Sequence, residues 1–402
     1  MQRRIRAVPG ANLDGASAHN RRVIFDALRI NGALTRAELA RATQLTPQTV
    51  SNIVENLRRK GLIAADAPRR QGRGQPARPY RILPTGASAI GVQLDRHQML
   101  GVTVDLAGTP LLQCHRPLPP GGPRKGGPAL LKMIEELRGA AGGRSKAGAA
   151  RLLGVGVAMP GPFGTFSHED PWRMEEWQDF PLVEWLAEKT GLWASVQNDA
   201  AAAAIAEKMY GAASGLDNFV HLFIGYGLGV GLVLRGAIYS GAANNAGEIG
   251  QVISAAARNR PAEAIEHYVS LLALCRHLDV DPRQSDVIDM LQVRFEASDR
   301  RLRQWIAMAA DHLRHAIHAL ESLFDPETVV IGGQMPQSIL SALITSLDPL
   351  LPSVADRRNR QRPRLTVGAN GLWSVALGAA LQPISHTFDP RFDAITKASN
   401  PS

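Results

Sequence analysis

The side chains whose chemistry is easiest to interpret are hydroxyls and amides between positions 46 and 52. They are Thr46, Gln48, Thr49, Ser51 and Asn52. Amides and hydroxyls hydrogen-bond to base edges when a helix enters the major groove of DNA. The pattern therefore predicts contact with double-stranded DNA, provided that one helix presents these residues together.

Local signals predict two helices before this segment. Residues 20–31 place apolar side chains on one helical face, and Asn31-Gly32 ends that helix. Thr35 and Glu38 then match a capping box, in which each side chain satisfies a backbone amide of the other. This pattern predicts a short second helix over residues 36–42.

A third helix should carry the polar residues themselves. Thr46 is a suitable N-cap and Pro47 a suitable first residue, because proline lacks only an N–H that the helix would not use. The buried stripe is predicted to be Val50, Ile53, Val54 and Leu57. Three short helices with a polar third helix predict a helix-turn-helix, whose third helix docks in the major groove.

Arginines follow this helix in two settings. Arg58 near its C-terminus suits a DNA phosphate and the local helix dipole, and a structural role is equally compatible. Residues 69–81 hold Arg73 and Arg78 among Gly and Pro, a composition that suits an extended segment along a narrow minor groove. The alternative is a flexible basic linker.

Charge is concentrated in the same region. Residues 1–81 contain 16 Lys and Arg against 5 Asp and Glu, whereas the whole chain of 402 residues carries a net charge of +9. The remainder is therefore slightly acidic. A local basic domain favours binding to a phosphate backbone, with a solvated basic tail as the alternative.

Composition also bears on the compartment. The only cysteines are Cys114 and Cys275, which cannot form a disulfide framework and suit a reducing environment. No apolar stretch of signal-peptide length follows the basic N-terminus, and the most apolar window, 219–239, contains His221, Arg235 and five glycines. We expect a cytoplasmic protein without a membrane segment, and two buried strands around a glycine turn in that window.

Several motifs lie in the larger, C-terminal part of the chain. They are GVGVAMPGPF (154–163), WQDFPLVEWL (177–186), VQNDAAAAAIAE (196–207), GYGLGVG (225–231), SGAANNAGEIGQ (240–251), IEHYVS (265–270) and VVIGG (329–333). In their order and spacing the chain resembles the ROK family, which contains bacterial sugar kinases and sugar-responsive repressors. The resemblance extends from the helix-turn-helix to about residue 385.

This resemblance implies an α/β fold class: an N-terminal winged helix-turn-helix followed by a two-lobed, actin-like ATPase domain of the ROK sugar kinase type. The expected divisions are a disordered basic tail (1–18), the winged helix-turn-helix (19–82), an N-lobe (83–198), a C-lobe (199–369), and a C-terminal helix that returns to the N-lobe and ends in a tail (370–402).

The family also implies a sugar in the cleft between the lobes. In ROK kinases the residues that match Asn198 and Asp199 hold a sugar hydroxyl and act as general base. Glu248 and Glu266 match two sugar-binding glutamates, whose oxygens accept hydrogen bonds from hydroxyls. Gly161 belongs to the expected cleft wall. Read without the family, Asp199 would be an N-cap and Glu248 a turn residue.

Three departures from the kinase pattern argue against catalysis. Asp95-Arg96-His97-Gln98 stands where kinases carry a glycine-rich loop that cradles ATP phosphates. Tyr226 replaces a small hydroxyl residue. Gln251 replaces the zinc-binding histidine, and residues 252–266 contain no cysteine, so we expect no metal. Gln251 still has the hydrogen-bonding groups to contact a sugar.

The sequence therefore predicts a transcriptional repressor of carbohydrate genes that is not an enzyme and needs no cofactor. Its expected partners are operator DNA and a sugar effector, and it is expected to form a homodimer or homotetramer. Two alternatives remain: a DNA-tethered sugar kinase, which Asp199 favours, and a DNA-binding regulator with a vestigial cleft, which the missing zinc residues favour.

Overall fold

The computed structural model describes residues 13–68, 77–142, 151–163, 174–254, 256, 263–284 and 286–389. The predicted tail up to residue 12, Arg73 and residues 390–402 lie outside these ranges. Within them, no helix combines the length and apolarity that crossing a membrane requires.

The N-terminal module consists of three helices and a small antiparallel sheet. Its helices are α1 (Leu13–Asn31), α2 (Arg36–Thr43) and α3 (Pro47–Arg59), and its strands β1 (Leu34–Thr35), β2 (Ile63–Ala65) and β3 (Pro79–Ile82) pair in the order β1-β3-β2. The capping box is present at Thr35, and Thr46 caps α3. The four residues of the predicted stripe on α3 are all buried.

Helix α1 begins at Leu13, so residues 13–18 of the predicted tail are helical. No proline interrupts this stretch, and a helix that is already held by tertiary packing extends at low cost. That packing comes from Ile24, Phe25 and Leu28, which are almost completely buried.

The N-lobe contains a five-stranded sheet in the order β6-β5-β4-β7-β8. Its strands are β4 (Ala87–Leu94), β5 (Gln98–Asp105), β6 (Pro110–Pro117), β7 (Arg151–Met159) and β8 (Ala194–Asn198). Strands β4, β5 and β6 pair antiparallel, whereas β4, β7 and β8 pair parallel. Helices α4 (Gly122–Gly142), α5 (Glu175–Gln178) and α6 (Leu182–Thr190) contribute to the core on one side of this sheet.

The C-lobe repeats the same strand arrangement. Its sheet has the order β11-β10-β9-β12-β13, formed by β9 (Phe219–Ile224), β10 (Leu228–Leu234), β11 (Ala237–Ile238), β12 (Val329–Gly333) and β13 (Leu365–Val367). Strands β9 and β10 are the two strands predicted in the apolar window. The helices are α7 (Asp199–Tyr210), α8 (Leu271–Leu278), α9 (Val287–Glu296), α10 (Arg300–Phe324) and α11 (Gln337–Ser346).

The last helix, α12 (Ser374–Phe388), packs against β4 and β7 of the N-lobe and against α7. Glycines permit this close approach. A Cβ on Gly91 would lie 2.1 Å from the carbonyl oxygen of Ala376, and one on Gly378 would lie 1.7 Å from that of Ala202. Because no side chain fits in these gaps, the backbone of α12 contacts both neighbours directly.

Helix α4 is longer than the segment 129–138 that helical periodicity indicates. It includes Gly126, Gly127 and Pro128, which disfavour a helix by themselves. Trp177 and Trp185 pack against the two glycines, where a Cβ would approach their rings to 2.6 Å and 3.2 Å. Tertiary packing of two large rings therefore overrides the local preference.

Candidate functional site

The end of β8 and the first turn of α7 bring two predicted sugar-binding residues together. Asn198 is the N-cap of α7, and its Oδ1 accepts hydrogen bonds from the amides of Ala200 and Ala201 at 2.9 Å and 3.2 Å. The amide of Ala200 also donates to Asp199 Oδ1 at 2.7 Å.

Gly161 and Glu248 complete this part of the site from two different loops. A Cβ on Gly161 would lie 2.8 Å from Asn198 Nδ2 and 2.8 Å from Glu248 Oε1. Gly161 follows β7 in the N-lobe, and Glu248 follows β11 in the C-lobe. Gly161 therefore lies in close contact with both polar side chains, at a point where both lobes and the start of α7 meet.

The remaining two predicted residues lie on the C-lobe side and contact each other. Gln251 Nε2 donates a hydrogen bond of 2.5 Å to Glu266 Oε1. Glu266 Oε2 lies 3.0 Å from the position that a Cβ on Gly227 would occupy, and Gly227 belongs to the glycine turn between β9 and β10. Gln251 thus supplies a polar group that orients Glu266.

Burial changes the acidity of the central carboxyl groups. The pKa of Asp199 is raised to about 6, first by burial and then by the negative charge of Asp95. The pKa of Glu248 is raised to about 7 by burial, followed by the charges of Asp199 and Glu266. Near neutral pH, Glu248 can therefore donate or accept a hydrogen bond, and both modes suit a sugar hydroxyl.

Side chains occupy the region in which the kinase pattern would place a phosphate-binding loop. Asp95 follows β4 and accepts hydrogen bonds from the backbone amide of Arg96 at 2.8 Å and from Gln334 Nε2 at 3.0 Å. Gln334 follows β12 in the C-lobe, so this second bond joins the two lobes. Asp95 and Gln334 are both about 2% exposed, which leaves little access for a ligand.

Aromatic packing strengthens this interlobe contact. The guanidinium of Arg96 lies 5.8 Å from the ring centroid of Tyr226, and the ring of His97 meets the same tyrosine edge-on at 6.1 Å. The Tyr226 hydroxyl donates to the carbonyl of Pro282 at 2.7 Å. Burial lowers the pKa of His97, which favours its neutral form. Arg96, His97, Tyr226 and Pro282 therefore pack together next to Asp95.

Among the described residues, no group of three or more His, Cys, Asp or Glu is arranged to hold a metal ion. A different contact anchors the loop that carries Glu266. Ser254 Oγ lies 2.5 Å from His312 Nδ1, and the ring of Tyr268 stacks on His312 at 3.9 Å. All three residues are at least nine-tenths buried.

Sequence reasoning did not identify Gln334 or His312 as part of the site. Gln334 directly follows the VVIGG strand, and the carboxyl end of such a strand faces the ligand cleft in α/β folds. That position was a usable signal. His312 lies in the middle of a long amphipathic helix, where nothing local distinguishes it from a core residue.

The predicted DNA-binding residues lie on and near α3. Thr46, Gln48 and Asn52 are exposed, whereas Thr49 and Ser51 are partly buried. The Thr46 hydroxyl caps the amide of Thr49 at 3.2 Å and lies 2.8 Å from the Thr49 hydroxyl. Gln48 Nε2 donates to Asn52 Oδ1 at 3.2 Å. The two amides therefore form one exposed, mutually oriented pair, and the threonines are engaged in the helix cap.

Arg58 forms an ion pair with Glu55 through two nitrogens, at 2.8 Å and 3.1 Å. Both side chains remain exposed, so the pair is accessible to a DNA phosphate. Arg78 is exposed immediately before β3. Arg73 lies outside the described residues, and its predicted role stays a prediction.

Comparison with family models gives two matches that agree with this organisation. The ROK family model matches residues 89–382, and the MarR family model matches residues 23–74. The second match covers α2, α3 and the C-terminal half of α1. The first covers both lobes and most of α12.

Three curated proteins are similar in sequence to this chain over at least 79% of its length. The uncharacterized protein y4fQ of Sinorhizobium fredii is 27% identical over 92% of this chain and 91% of its own length. The xylose repressor of Bacillus spizizenii is 23% identical over 79% of this chain and 83% of its own length. The DNA-binding transcriptional dual regulator NagC of Escherichia coli is 24% identical over 81% of this chain and 83% of its own length.

Two solved structures show the same fold. A ROK family transcriptional regulator, described as a homolog of the E. coli MLC protein, aligns over 96% of this chain and 100% of its own, with a TM-score of 0.70 and 21% identity. A ROK hexokinase from Thermus thermophilus aligns over 73% of this chain and 97% of its own, with a TM-score of 0.55 and 26% identity. The first alignment includes the N-terminal module.

These matches confirm the predicted α/β fold class, with a MarR-like winged helix-turn-helix followed by an actin-like kinase fold. They also confirm the resemblance on which the sugar-site residues were chosen. By its sequence match over both lobes, the chain belongs to the ROK family.

Proposed function

We propose that this protein is a transcriptional repressor of carbohydrate genes that binds operator DNA through α3 and is released by a sugar bound in a non-catalytic cleft. The observation that carries this proposal is the contrast between two halves of the cleft. Gly161, Asn198 and Glu248 converge so closely that a Cβ on Gly161 would lie 2.8 Å from both polar side chains, whereas Arg96 and Tyr226 pack together where a kinase would hold phosphates. The names of the xylose repressor and of NagC support the same role.

The proposed DNA complex follows from the module. Helix α3 would enter the major groove with Gln48 and Asn52 at base edges, while Arg58, Arg73 and Arg78 would contact the backbone or minor groove. Helix-turn-helix repressors bind as symmetric dimers, so we propose a homodimer or homotetramer and a pseudo-palindromic operator with half-sites about one or two helical turns apart.

The test is operator binding across a sugar titration. A thermal-shift screen against a sugar library first identifies a ligand, and an operator is selected from a random duplex library. Fluorescence anisotropy then compares wild type with Glu248→Ala and Glu266→Ala. Each variant loses hydrogen bonds to the sugar that are worth about 1.5–3 kcal/mol, so both should bind DNA normally and resist release.

Glu184→Ala, which alters an exposed residue of α6, is the matched control and should respond like the wild type. A misfolded variant would lose DNA binding as well as the sugar response. If both site variants released DNA at the wild-type sugar concentration, the effector would bind elsewhere. If no sugar shifted the thermal midpoint, the cleft would be vestigial.

A kinase is the second candidate, and one observation favours it. Asp199 is partly buried at the start of α7 with a pKa raised to about 6, which is compatible with general-base work. We propose that this activity is absent because Arg96, His97 and Tyr226 occupy the phosphate region. Sugar-dependent ADP release that disappears in Asp199→Ala would establish the kinase instead.

A further inference from the structure

Two hydrogen bonds beside the proposed sugar site join the N-lobe directly to the C-lobe. The backbone amide of Phe163 donates to Asn245 Oδ1 at 2.7 Å, and Asn245 Nδ2 donates to the backbone carbonyl of Phe163 at 2.8 Å. Phe163 follows β7 of the N-lobe, whereas Asn245 follows β11 of the C-lobe. One side-chain amide therefore pairs with both backbone groups of a residue in the other lobe, and we call these two bonds the clasp.

Each lobe holds its own half of the clasp in place. In the C-lobe, the amide of Val230 in β10 donates to the carbonyl of Gly247 at 2.8 Å, two residues beyond Asn245. In the N-lobe, Gln178 Nε2 of α5 donates to the carbonyl of Pro160 at 3.2 Å. Because both loops are tied to their own lobes, a change in the angle between the lobes would break the clasp.

The clasp lies between residues of the proposed sugar site. Gly161 precedes Phe163 by two positions, and Glu248 follows Asn245 by three. A Cβ on Gly161 would lie 2.8 Å from Glu248 Oε1, so the two loops also approach each other at these residues. A sugar that contacts both Gly161 and Glu248 therefore needs the same arrangement of the lobes as the clasp.

The clasp lies at the edge of a cavity and not in the hydrophobic core. Phe163 and Asn245 are only partly buried. Phe163, Asn244 and Ala246 border a cavity of about 430 Å³ beside α7, so one side of the clasp faces open space. Both hydrogen bonds of Asn245 therefore contribute to the free energy that keeps the lobes in this arrangement.

We propose that Asn245 is a positioning residue for the sugar effector. Its clasp stabilises the lobe arrangement in which the sugar is bound, and the sugar in turn stabilises the clasp. This role rests on the proposed function, because it concerns the regulation of that same site. A ligand that prefers the clasped arrangement loses affinity when that arrangement becomes less populated, and it restores the arrangement when it binds.

The first arm of the test measures lobe separation without a ligand. Both native cysteines are buried, so spin labels can be directed to Ala187→Cys in α6 and Val293→Cys in α9, which are exposed positions on the two lobes. Labelled chains are diluted with unlabelled protein, so that double electron–electron resonance reports distances within one chain. Asn245→Ala should broaden the distance distribution and shift it away from that of the unaltered clasp.

The second arm is calorimetric titration with D-glucose, D-galactose, D-mannose, D-xylose and N-acetyl-D-glucosamine. A pyranose that binds the wild type should bind Asn245→Ala about fivefold or more weakly, as expected for the loss of at least one supporting hydrogen bond. The same pyranose should narrow the distance distribution of the wild type more than that of the variant. A residue that only supported folding would lower the thermal midpoint without changing this response.

Asn244→Gly is the matched control, because Asn244 is exposed and glycine accepts its φ of 59°. It should match the wild type in both arms, and operator binding without sugar shows that each variant is folded. Unchanged lobe distances in Asn245→Ala, or unchanged affinity for a pyranose that binds the wild type, would overturn the proposal and leave the sugar effector intact. If no pyranose bound the wild type, the proposed effector and the role of Asn245 would both fail.

Discussion

At the scale of single residues, the cleft is characterised by carboxyl groups whose acidity depends on their neighbours. Glu248 lies in close contact with Gly161, and burial together with Asp199 and Glu266 raises its pKa to about 7. Its unfolded value is near 4.5. Between these two pH values, the folded state binds more protons than the unfolded state at this position.

This difference predicts how Glu248→Gln changes stability with pH. The stability associated with neutral Glu248 is present below pH 4.5 and is lost as the pH rises through about 7. Glutamine remains neutral at both pH values. The free energy of unfolding of the variant should therefore exceed that of the wild type by on the order of 1–3 kcal/mol at pH 8 and differ little from it at pH 4.5. The measurement is urea unfolding of the unliganded protein at both pH values.

Glu184→Gln, at an exposed position of α6, is the control and should change little at either pH. If Glu248→Gln raised the free energy of unfolding equally at both pH values, packing and not ionisation would account for the effect. No gain at pH 8 would show that Glu248 is ionised at little cost in the folded protein.

The amide pair on α3 allows a second prediction at this scale. Gln48 and Asn52 orient each other, so Gln48→Ala should lose about 1–3 kcal/mol of base discrimination at one operator position. Arg58→Ala should instead weaken binding to all sequences and reduce the log-log salt slope by about one. Competition binding against single-base operator variants at several salt concentrations separates these effects. Identical profiles for the two variants would contradict the assigned roles.

At the scale of elements, a buried contact between a loop and a helix holds the segment that carries Glu266. The loop around Ser254 and Glu266 meets α10 at His312, which also stacks on Tyr268. The backbone amide of Ser254 donates to the carbonyl of Glu263 at 2.9 Å, which pairs the two sides of the loop. Side-chain packing therefore positions Glu266.

We predict that His312→Ala weakens sugar binding without affecting DNA binding in the absence of sugar. It removes the side-chain partner of the buried Ser254 hydroxyl and should destabilise the protein by about 1–3 kcal/mol. Isothermal titration with the identified sugar, together with operator anisotropy, measures both effects. His315→Ala, at an exposed position on the same helix, is the control. Unchanged sugar affinity in His312→Ala would show that Glu266 needs no such anchor.

At the scale of the whole molecule, the DNA-binding module and the ROK domain share a hydrophobic core. Phe25 of α1 stacks on Phe388 of α12 with ring centroids 4.1 Å apart, and both rings are at least nine-tenths buried. The amide of Leu83 donates to the carbonyl of Leu62, and that of Leu106 to the carbonyl of Pro84. A shift in the position of α12 would therefore alter the packing of α1 directly.

Phe388→Ala should reveal this coupling. Removing a buried ring costs about 3–5 kcal/mol in a typical core, and here the loss falls between the module and the ROK domain. We expect lower resistance to urea and a weaker effect of sugar on DNA binding, while DNA affinity without sugar is retained. Leu323→Ala, at a leucine that is 75% exposed, serves as the control. A full sugar response in Phe388→Ala would exclude this contact as the route of coupling.

The sequence by itself determined the features that depend on neighbouring residues. The Thr35–Glu38 capping box, the Thr46 cap and the buried stripe of α3 were all predicted, because each involves residues within one or two helical turns. The family motifs identified the residues that converge on the cleft. Their order along the chain sufficed for this, since each motif ends an element of a recognisable fold.

Only the tertiary structure decided which distant side chains meet. Gln334 lies 239 positions from Asp95, and His312 lies 58 from Ser254, so no periodicity or spacing predicts either hydrogen bond. The start of α4 at Gly122 is decided in the same way, because Trp177 and Trp185 pack on glycines that disfavour a helix by themselves. In each case the free energy comes from burial and pairing between remote segments, which exist together only after the chain has folded.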